Sequence, residues 1–245
     1  MIKSKFKLIG TLFVIAFSYN QYSYADFGLI QDNDGYVNVR SSPNLKSPIM
    51  TKLRNNEIVS CDLDEGLSEF CLISSPMLKN IGYLYKDRIN FFKEYHSVKL
   101  LNYCSNQATY SNKDITVNVQ SKAARVERKL FKKDTDGFYK YFKNKEFFGT
   151  DGDIPDERFS QLNQISIAYK SKVIKLNFNQ LEQYFFPTKG LGNPKNELAD
   201  FNIYYLNDDI YILNTFSNGG AATYALIIHI RDGKITDKKA WKVEI

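Results

Sequence analysis

Residues 34–43, Asp34-Gly35-Tyr36-Val37-Asn38-Val39-Arg40-Ser41-Ser42-Pro43, set the reading of this chain. Asp32-Asn33-Asp34-Gly35 is a turn, because Asp and Asn accept turn geometry and Gly takes positive φ. The five residues from Tyr36 to Arg40 then alternate: Val37 and Val39 point to one side, Tyr36, Asn38 and Arg40 to the other. Ser41-Ser42-Pro43-Asn44 breaks the strand. The same punctuation continues on both sides. Residues 26–31 read as a first strand. Residues 49–53 resume after the break, with Met50 and Leu53 expected inward. Arg54-Asn55-Asn56-Glu57 is a further turn, and 58–63, 69–73 and 81–89 follow as strands. Short strands at this spacing, separated by Gly, Asn and Pro, predict a small barrel.

The opening stretch resembles the first strand and turn of bacterial SH3-like domains, whose usual pattern is Gly, then Leu- or Val-Asn-Val-Arg, then a short Ser/Gly/Pro turn. Gly82-Tyr83-Leu84-Tyr85 is similar to their closing Gly-Trp-Val-aromatic strand, with Tyr83 in place of Trp. Residues 53–59 are similar to their Leu-x-x-Gly-x-x-Val segment, with Asn56 where Gly is usual. Phe70 stands where the middle strand usually carries Trp. The resemblance covers about residues 27–92. It implies an SH3-like small barrel on an exported protein that binds cell-wall peptides or a protein partner. Tyr36, Asn38 and Arg40 on one strand, and Tyr83 and Tyr85 on another, are the candidate contacts. Aromatic and amide groups brought to one surface suit peptide or glycopeptide recognition.

The first 25 residues read as a cleavable signal peptide. Lys3, Lys5 and Lys7 precede a short apolar run from Leu8 to Phe17, and Ser23-Tyr24-Ala25 offers small residues for cleavage after Ala25. The apolar run is about ten residues, against the roughly 20 needed to span a bilayer. The expected location is periplasmic or secreted, with no stable membrane insertion after cleavage. Without those three Lys the chain holds 30 basic and 27 acidic side chains, a balance of about +3. That is mildly basic and gives no warrant for nucleic-acid binding.

Three cysteines remain in an oxidising compartment. Cys61 and Cys71 flank a hairpin tip centred on Gly66, and folding symmetrically about Gly66 sets them face to face as a disulfide. Cys104 is then the odd one, expected to be buried or to pair between chains.

From residue 97 to 245 the pattern predicts a β-rich (α+β) domain of antiparallel strands with one or two short helices, after a boundary at 91–96. Strands are expected at 98–103 and, with clean alternation, at 115–119. Residues 123–133 read equally as a strand or an amphipathic helix. Residues 138–148 read as one half-buried strand with its lysines outward. Residues 165–169 and 173–177 pair across Lys170-Ser171-Lys172. Asn179 caps a short helix stopped by Pro187. Residues 201–206 and 209–216 form a hairpin around Asn207-Asp208. The segment 217–222, with Gly219-Gly220, joins to 223–231, the most apolar strand. Arg231-Asp232-Gly233-Lys234 turns into the last strand.

Few groups suggest chemistry. His96 and His229 have no Cys, His or carboxylate neighbour at metal-ligand spacing. Both read as satisfied structural residues. Asp151, Asp153, Asp156 and Glu157 form the densest acidic cluster, but without the spacing of a calcium loop they read as a solvated turn. No catalytic residue, metal or cofactor is assigned. The expected function is non-enzymatic binding at the bacterial envelope, to peptidoglycan peptides or a wall-associated protein. A periplasmic immunity or inhibitor protein that blocks a wall-degrading toxin or hydrolase is the alternative, and an unrecognised wall hydrolase the third.

Overall fold

The computed structural model describes residues 26–62, 69–156, 159–187, 198–217 and 220–243. The signal-peptide reading, the hairpin tip at Gly66, Glu157, Gly219 and the 188–197 connection fall outside these residues. The chain is mainly β, with one short helix among the described residues.

The first seven strands are β1 (Asp26–Ile30), β2 (Tyr36–Arg40), β3 (Ile49–Arg54), β4 (Ile58–Asp62), β5 (Phe70–Ser74), β6 (Gly82–Tyr85) and β7 (Ile89–Asn90). They form one antiparallel sheet in the order β3-β2-β6-β5-β4-β1-β7. The sheet curls around a shared core of Ile30, Val37, Val39, Leu53, Val59, Cys61, Cys71, Ile73, Leu84 and Ile89. Turn chemistry starts β2 as expected, with Gly35 at φ 79°. Where β2 meets β6 the backbones come very close. A Cβ at Gly82 would stand 2.5 Å from Val39 Cγ1, so only glycine allows that approach.

Two details of this sheet differ from expectation. Met50 is 45% exposed, not inward. The β2–β3 register shifts between Val39 and Arg40, pairing Thr51 with Val39 and Ile49 with Arg40. Met50 is the extra residue of that bulge and loses its place in the inward alternation. Cys61 and Cys71 do form a disulfide pair, with Cα atoms 5.7 Å apart. They are not directly opposite each other: Cys61 lies opposite Ile73 and Asp62 opposite Leu72. The two cysteines are therefore diagonal neighbours on the buried face. Cys104 is free and exposed, not buried.

The following strands are β8 (His96–Ser97), β9 (Lys99–Cys104), β10 (Gln107–Ser111), β11 (Ile115–Ala123), β12 (Phe131–Lys133), β13 (Tyr139–Phe142), β14 (Lys145–Glu146), β15 (Ser160–Tyr169) and β16 (Lys172–Leu176). After helix α1 (Phe178–Leu181) come β17 (Asn202–Leu206), β18 (Asp209–Phe216), β19 (Tyr224–Arg231) and β20 (Lys234–Lys242). Two five-stranded sheets result, β16-β15-β11-β10-β9 and β20-β19-β18-β17-β8, with a small β12-β13-β14 sheet beside them. Val117, Val119, Ile165 and Ile167 of one large sheet share a core with Ile210, Ile212, Leu226 and Ile228 of the other. This is a sandwich built from two inward-facing alternations.

The second large sheet is covered on its other side too. Tyr211, Leu213, Ala225, Ile227 and Trp241 pack against Phe27, Leu29, Ile58 and Phe92. Trp241 Nε1 donates to Ser74 Oγ at 3.0 Å across this joint. Phe92, in the segment read as a boundary, stacks on Tyr204 at 4.5 Å and is itself buried.

Local order departs from expectation where the pattern is ambiguous. Residues 123–133 are neither one strand nor a helix: a 3-10 turn at Arg128–Leu130 leads into β12. Phe131 anchors there with Ala124, Phe142, Phe147, Phe159 and Phe185. Residues 138–148 form the β13–β14 hairpin, not one strand. Lys143 and Asn144 sit at its tip with φ 49° and 65°, the left-handed pair that a tight two-residue hairpin needs. Helix α1 is capped by Asn177 in a capping box with Gln180, not by Asn179. The β15–β16 hairpin forms as expected, but one residue tighter: Tyr169 lies opposite Lys172, so Lys172 belongs to the strand and the turn is Lys170-Ser171. The 202–216 hairpin falls as expected.

Candidate functional site

The five candidate contacts lie on one surface. Tyr36, Asn38 and Arg40 alternate with the buried valines of β2 and therefore face out. Cross-strand partners share a face in an antiparallel sheet. Arg40 is opposite Tyr83 of β6. Tyr83 is opposite Leu72, and Tyr85 opposite Phe70, on β5. On the other side, Asn38 is opposite Lys52 and Arg40 opposite Ile49 of β3. The surface thus runs across four strands, β3-β2-β6-β5. Lys52, Ile49 and Leu72 belong to it and were not singled out from sequence. The alternation of β3 and β5 carries them, but only the register aligns them with β2.

Its groups are held in distinct ways. Lys52 Nζ sits 3.8 Å from the centroid of the Tyr36 ring. Arg40 Nη1 donates to the Ser47 carbonyl at 2.8 Å. Ser47 Oγ rests on the carbonyls of Ser42 and Asn44 at 2.9 and 2.8 Å. Arg40 therefore ties the strand to the Ser41–Ser47 loop and keeps further N–H groups of its fork. Phe70 and Tyr85 meet edge to face at 5.3 Å. Burial, then the nearby Glu69 and Asp87 carboxylates, raise the Tyr85 phenol above its ordinary range, so it stays a neutral donor. Asn38 Oδ1 is buried without a hydrogen-bond partner, a costly state for an amide oxygen. Tyr36, Ile49 and Met50 are exposed. The arrangement is an open aromatic surface with two cations and an amide. It has the chemistry to hold an extended chain by ring contacts and hydrogen bonds.

The histidines lie elsewhere. His96 packs against Tyr205 at 5.2 Å between centroids. His229 stacks on Tyr211 at 4.1 Å. Its Nε2 is 3.0 Å from Asp209 Oδ1 and its Nδ1 is 3.1 Å from Thr236 Oγ1. Burial raises the Asp209 carboxyl, but the bonds from Arg231 and His229 outweigh it and leave Asp209 below its ordinary range. Both ring nitrogens of His229 have partners. This cluster borders a cavity of about 280 Å³ between the first sheet (Leu29, Glu57, Ile58) and the sandwich (Ile227, Arg231, Lys239). A second cavity, about 360 Å³, is lined by Asp26, Asp200, Asn202, Asn214 and Thr215. Burial raises the carboxyls of Asp26 and Asp200 above their ordinary range. Among the described residues, no group of His, Cys, Asp or Glu is arranged to hold a metal ion. No described helix is long and apolar enough to cross a membrane.

No family model, no curated protein and no solved structure matches this chain.

Proposed function

We propose that the chain is an exported, non-enzymatic binding protein of the bacterial envelope. In this reading the N-terminal seven-stranded unit is an SH3-like domain. Its outward surface takes an extended peptide, either a peptidoglycan stem peptide or a segment of a wall-associated protein. The observation that carries the reading is the gathering of Tyr36, Asn38, Arg40, Tyr83 and Tyr85 on one face across β2 and β6. Rigid aromatic rings give large contact area at small entropic cost, and the Arg40 fork and Asn38 amide supply direction. The sandwich, joined to the first sheet through a buried core, acts as a stiff base.

Co-sedimentation of the purified protein with isolated cell wall tests this. Wild-type protein pellets with the wall, and Tyr36→Ala combined with Tyr85→Ala reduces the pelleted fraction severalfold. Equal pelleting of wild type and variant, or none for either, overturns the wall-peptide reading. Protection of a wall-degrading hydrolase's target by the protein, without wall binding, would instead favour the inhibitor class. Release of soluble muropeptides would favour a hydrolase.

A further inference from the structure

The larger cavity, about 360 Å³, holds negative charge and no positive charge. Asp26, at the start of β1, lines it from the first sheet, and Asp200, Asn202, Asn214 and Thr215 line it from the sandwich. No lysine, arginine or histidine reaches it. Among the described residues, neither the Asp26 nor the Asp200 carboxylate has a hydrogen bond or an ion pair. Both carboxyls are raised above their ordinary range by burial, with no cation to offset it. Thr215 Oγ1 is buried and also lacks a hydrogen-bond partner. Two carboxylates without a counter-charge, beside a buried hydroxyl without a partner, are costly unless a cationic donor meets them.

Asp26 is also the residue that signal-peptide cleavage after Ala25 makes the first of the chain. Hydrolysis of the Ala25–Asp26 bond by a signal peptidase consumes one water. It leaves a carboxylate on Ala25 and turns the uncharged Asp26 amide nitrogen into an α-ammonium with one positive charge and three N–H donors. That nitrogen is held in place. Asp26 pairs with Cys61 in the β1–β4 ladder, and the next residue, Phe27, meets Trp241 at 6.3 Å in the joint. The new charge therefore arises at the rim of the acidic cavity.

We propose, resting on the export reading, that this cavity is the receptor for the α-ammonium released by signal-peptide cleavage, which pairs with the Asp200 carboxylate across the joint. Covalent attachment selects the occupant: an amine carried by β1 stays at the cavity at every protein concentration, and a free amine has to compete with it. Thr215 Oγ1 is available to accept a further N–H. The ion pair ties the first sheet to the segment ahead of β17, so cleavage fastens the two units together. An α-amine titrates near pH 8, and adjacent carboxylates raise its pKa in the folded chain. Its stabilisation is full below the unfolded value and is lost as pH rises through the folded one. On the acid side the pair ends when Asp200 takes up its proton. The other titratable groups that sense these carboxylates are the phenols of Tyr204 on β17 and Tyr110 on β10, both raised by burial and neutral across this window.

Thermal unfolding of four proteins tests the proposal: the chain beginning at Asp26, the same chain with Ser23-Tyr24-Ala25 kept ahead of it, and each of these with Asp200→Asn. At about pH 7 the chain beginning at Asp26 should melt about 2–4 °C above the extended one. With Asp200→Asn the gap should shrink to under about 1 °C, the mark of two coupled groups. With Asp200 present it should close near pH 10, about two units above the ordinary α-amine value. Equal melting of the first two proteins overturns the proposal. So does a gap that persists with Asp200→Asn or near pH 10, which would make it a steric effect of the extension. Mass spectrometry of the protein recovered from the cell envelope separates this failure from failure of the export reading. A chain cut after Ala25 that shows no melting gap leaves export standing and removes the receptor. An uncut chain overturns both.

Discussion

β2 and β19 both run inside antiparallel sheets with a partner strand on each side, but they meet different surroundings. β2 is buried on one face only: Val37 and Val39 enter the core while Tyr36, Asn38 and Arg40 look outward. β19 is buried on both. Tyr224, Leu226, Ile228 and Ile230 enter the sandwich core, and Ala225 and Ile227 enter the joint with the first sheet. His229, its half-buried polar residue, has both nitrogens occupied. The difference shows where recognition has room. Packing fixes nearly every side chain of β19, whereas the outward side of β2 is released from packing and carries aromatic, amide and guanidinium groups.

The contrast can be broken most forcibly at β19. Leu226→Ala on the sandwich side and Ile227→Ala on the joint side should each destabilise the protein by about 2–5 kcal/mol, because each removes a buried side chain from a packed core. Urea unfolding measures both. A loss at Ile227 under about 0.5 kcal/mol would mean that the joint is not a packed core and that β19 has one open face, like β2. The disulfide holds the sheet that presents the candidate face. Replacing both Cys61 and Cys71 by Ala should cost about 2–3 kcal/mol by lengthening the free loop of the unfolded chain. The test is the urea midpoint of that variant beside oxidised wild type. Trp241→Phe keeps a ring in the joint but removes the donor to Ser74 Oγ, and should cost about 1–2 kcal/mol. An unchanged midpoint would remove that hydrogen bond from the account of the joint. The smallest stability effect is expected at Tyr36→Ala, within about 0.5 kcal/mol, since the ring is exposed and its cation contact is with the surface Lys52. A large destabilisation there would make Tyr36 part of the fold and not a free contact.

Legibility followed the range of the forces involved. The β2 strand and its Gly35 turn, the 202–216 hairpin and the Asp232-Gly233 turn were readable because each depends on a handful of neighbouring residues. β10 is not legible in the sequence because Gln107 to Ser111 carries only Ala108 and Tyr110 on its buried side, a weak apolar signal. The 123–133 segment was ambiguous because helical and strand periods both fit it; the aromatic cluster around Phe131 and Phe185, which is distant in sequence, decided the outcome. The bulge that turns Met50 outward cannot be read from one strand alone. Of the candidate face, Tyr36, Asn38, Arg40, Tyr83 and Tyr85 were legible. Their neighbours Lys52, Ile49 and Leu72 were not, because register belongs to pairs of strands.

The amino-acid sequence by itself determined a β-rich chain, the alternation of β2, the pairing of Cys61 with Cys71 and the outward set of aromatic residues. These rest on backbone geometry, turn chemistry and side-chain period, which act within a few residues. Only the tertiary structure decided that the two units share a buried core through Phe27, Ile58, Ile227 and Trp241. It likewise decided that the strong apolar run of β19 marks burial on two faces, and that the β13–β14 tip brings Lys143 and Lys145 to the buried carboxylate of Glu182, far along the chain. Burial and charge density depend on what the folded chain brings near, and that distance is set in space and not along the sequence.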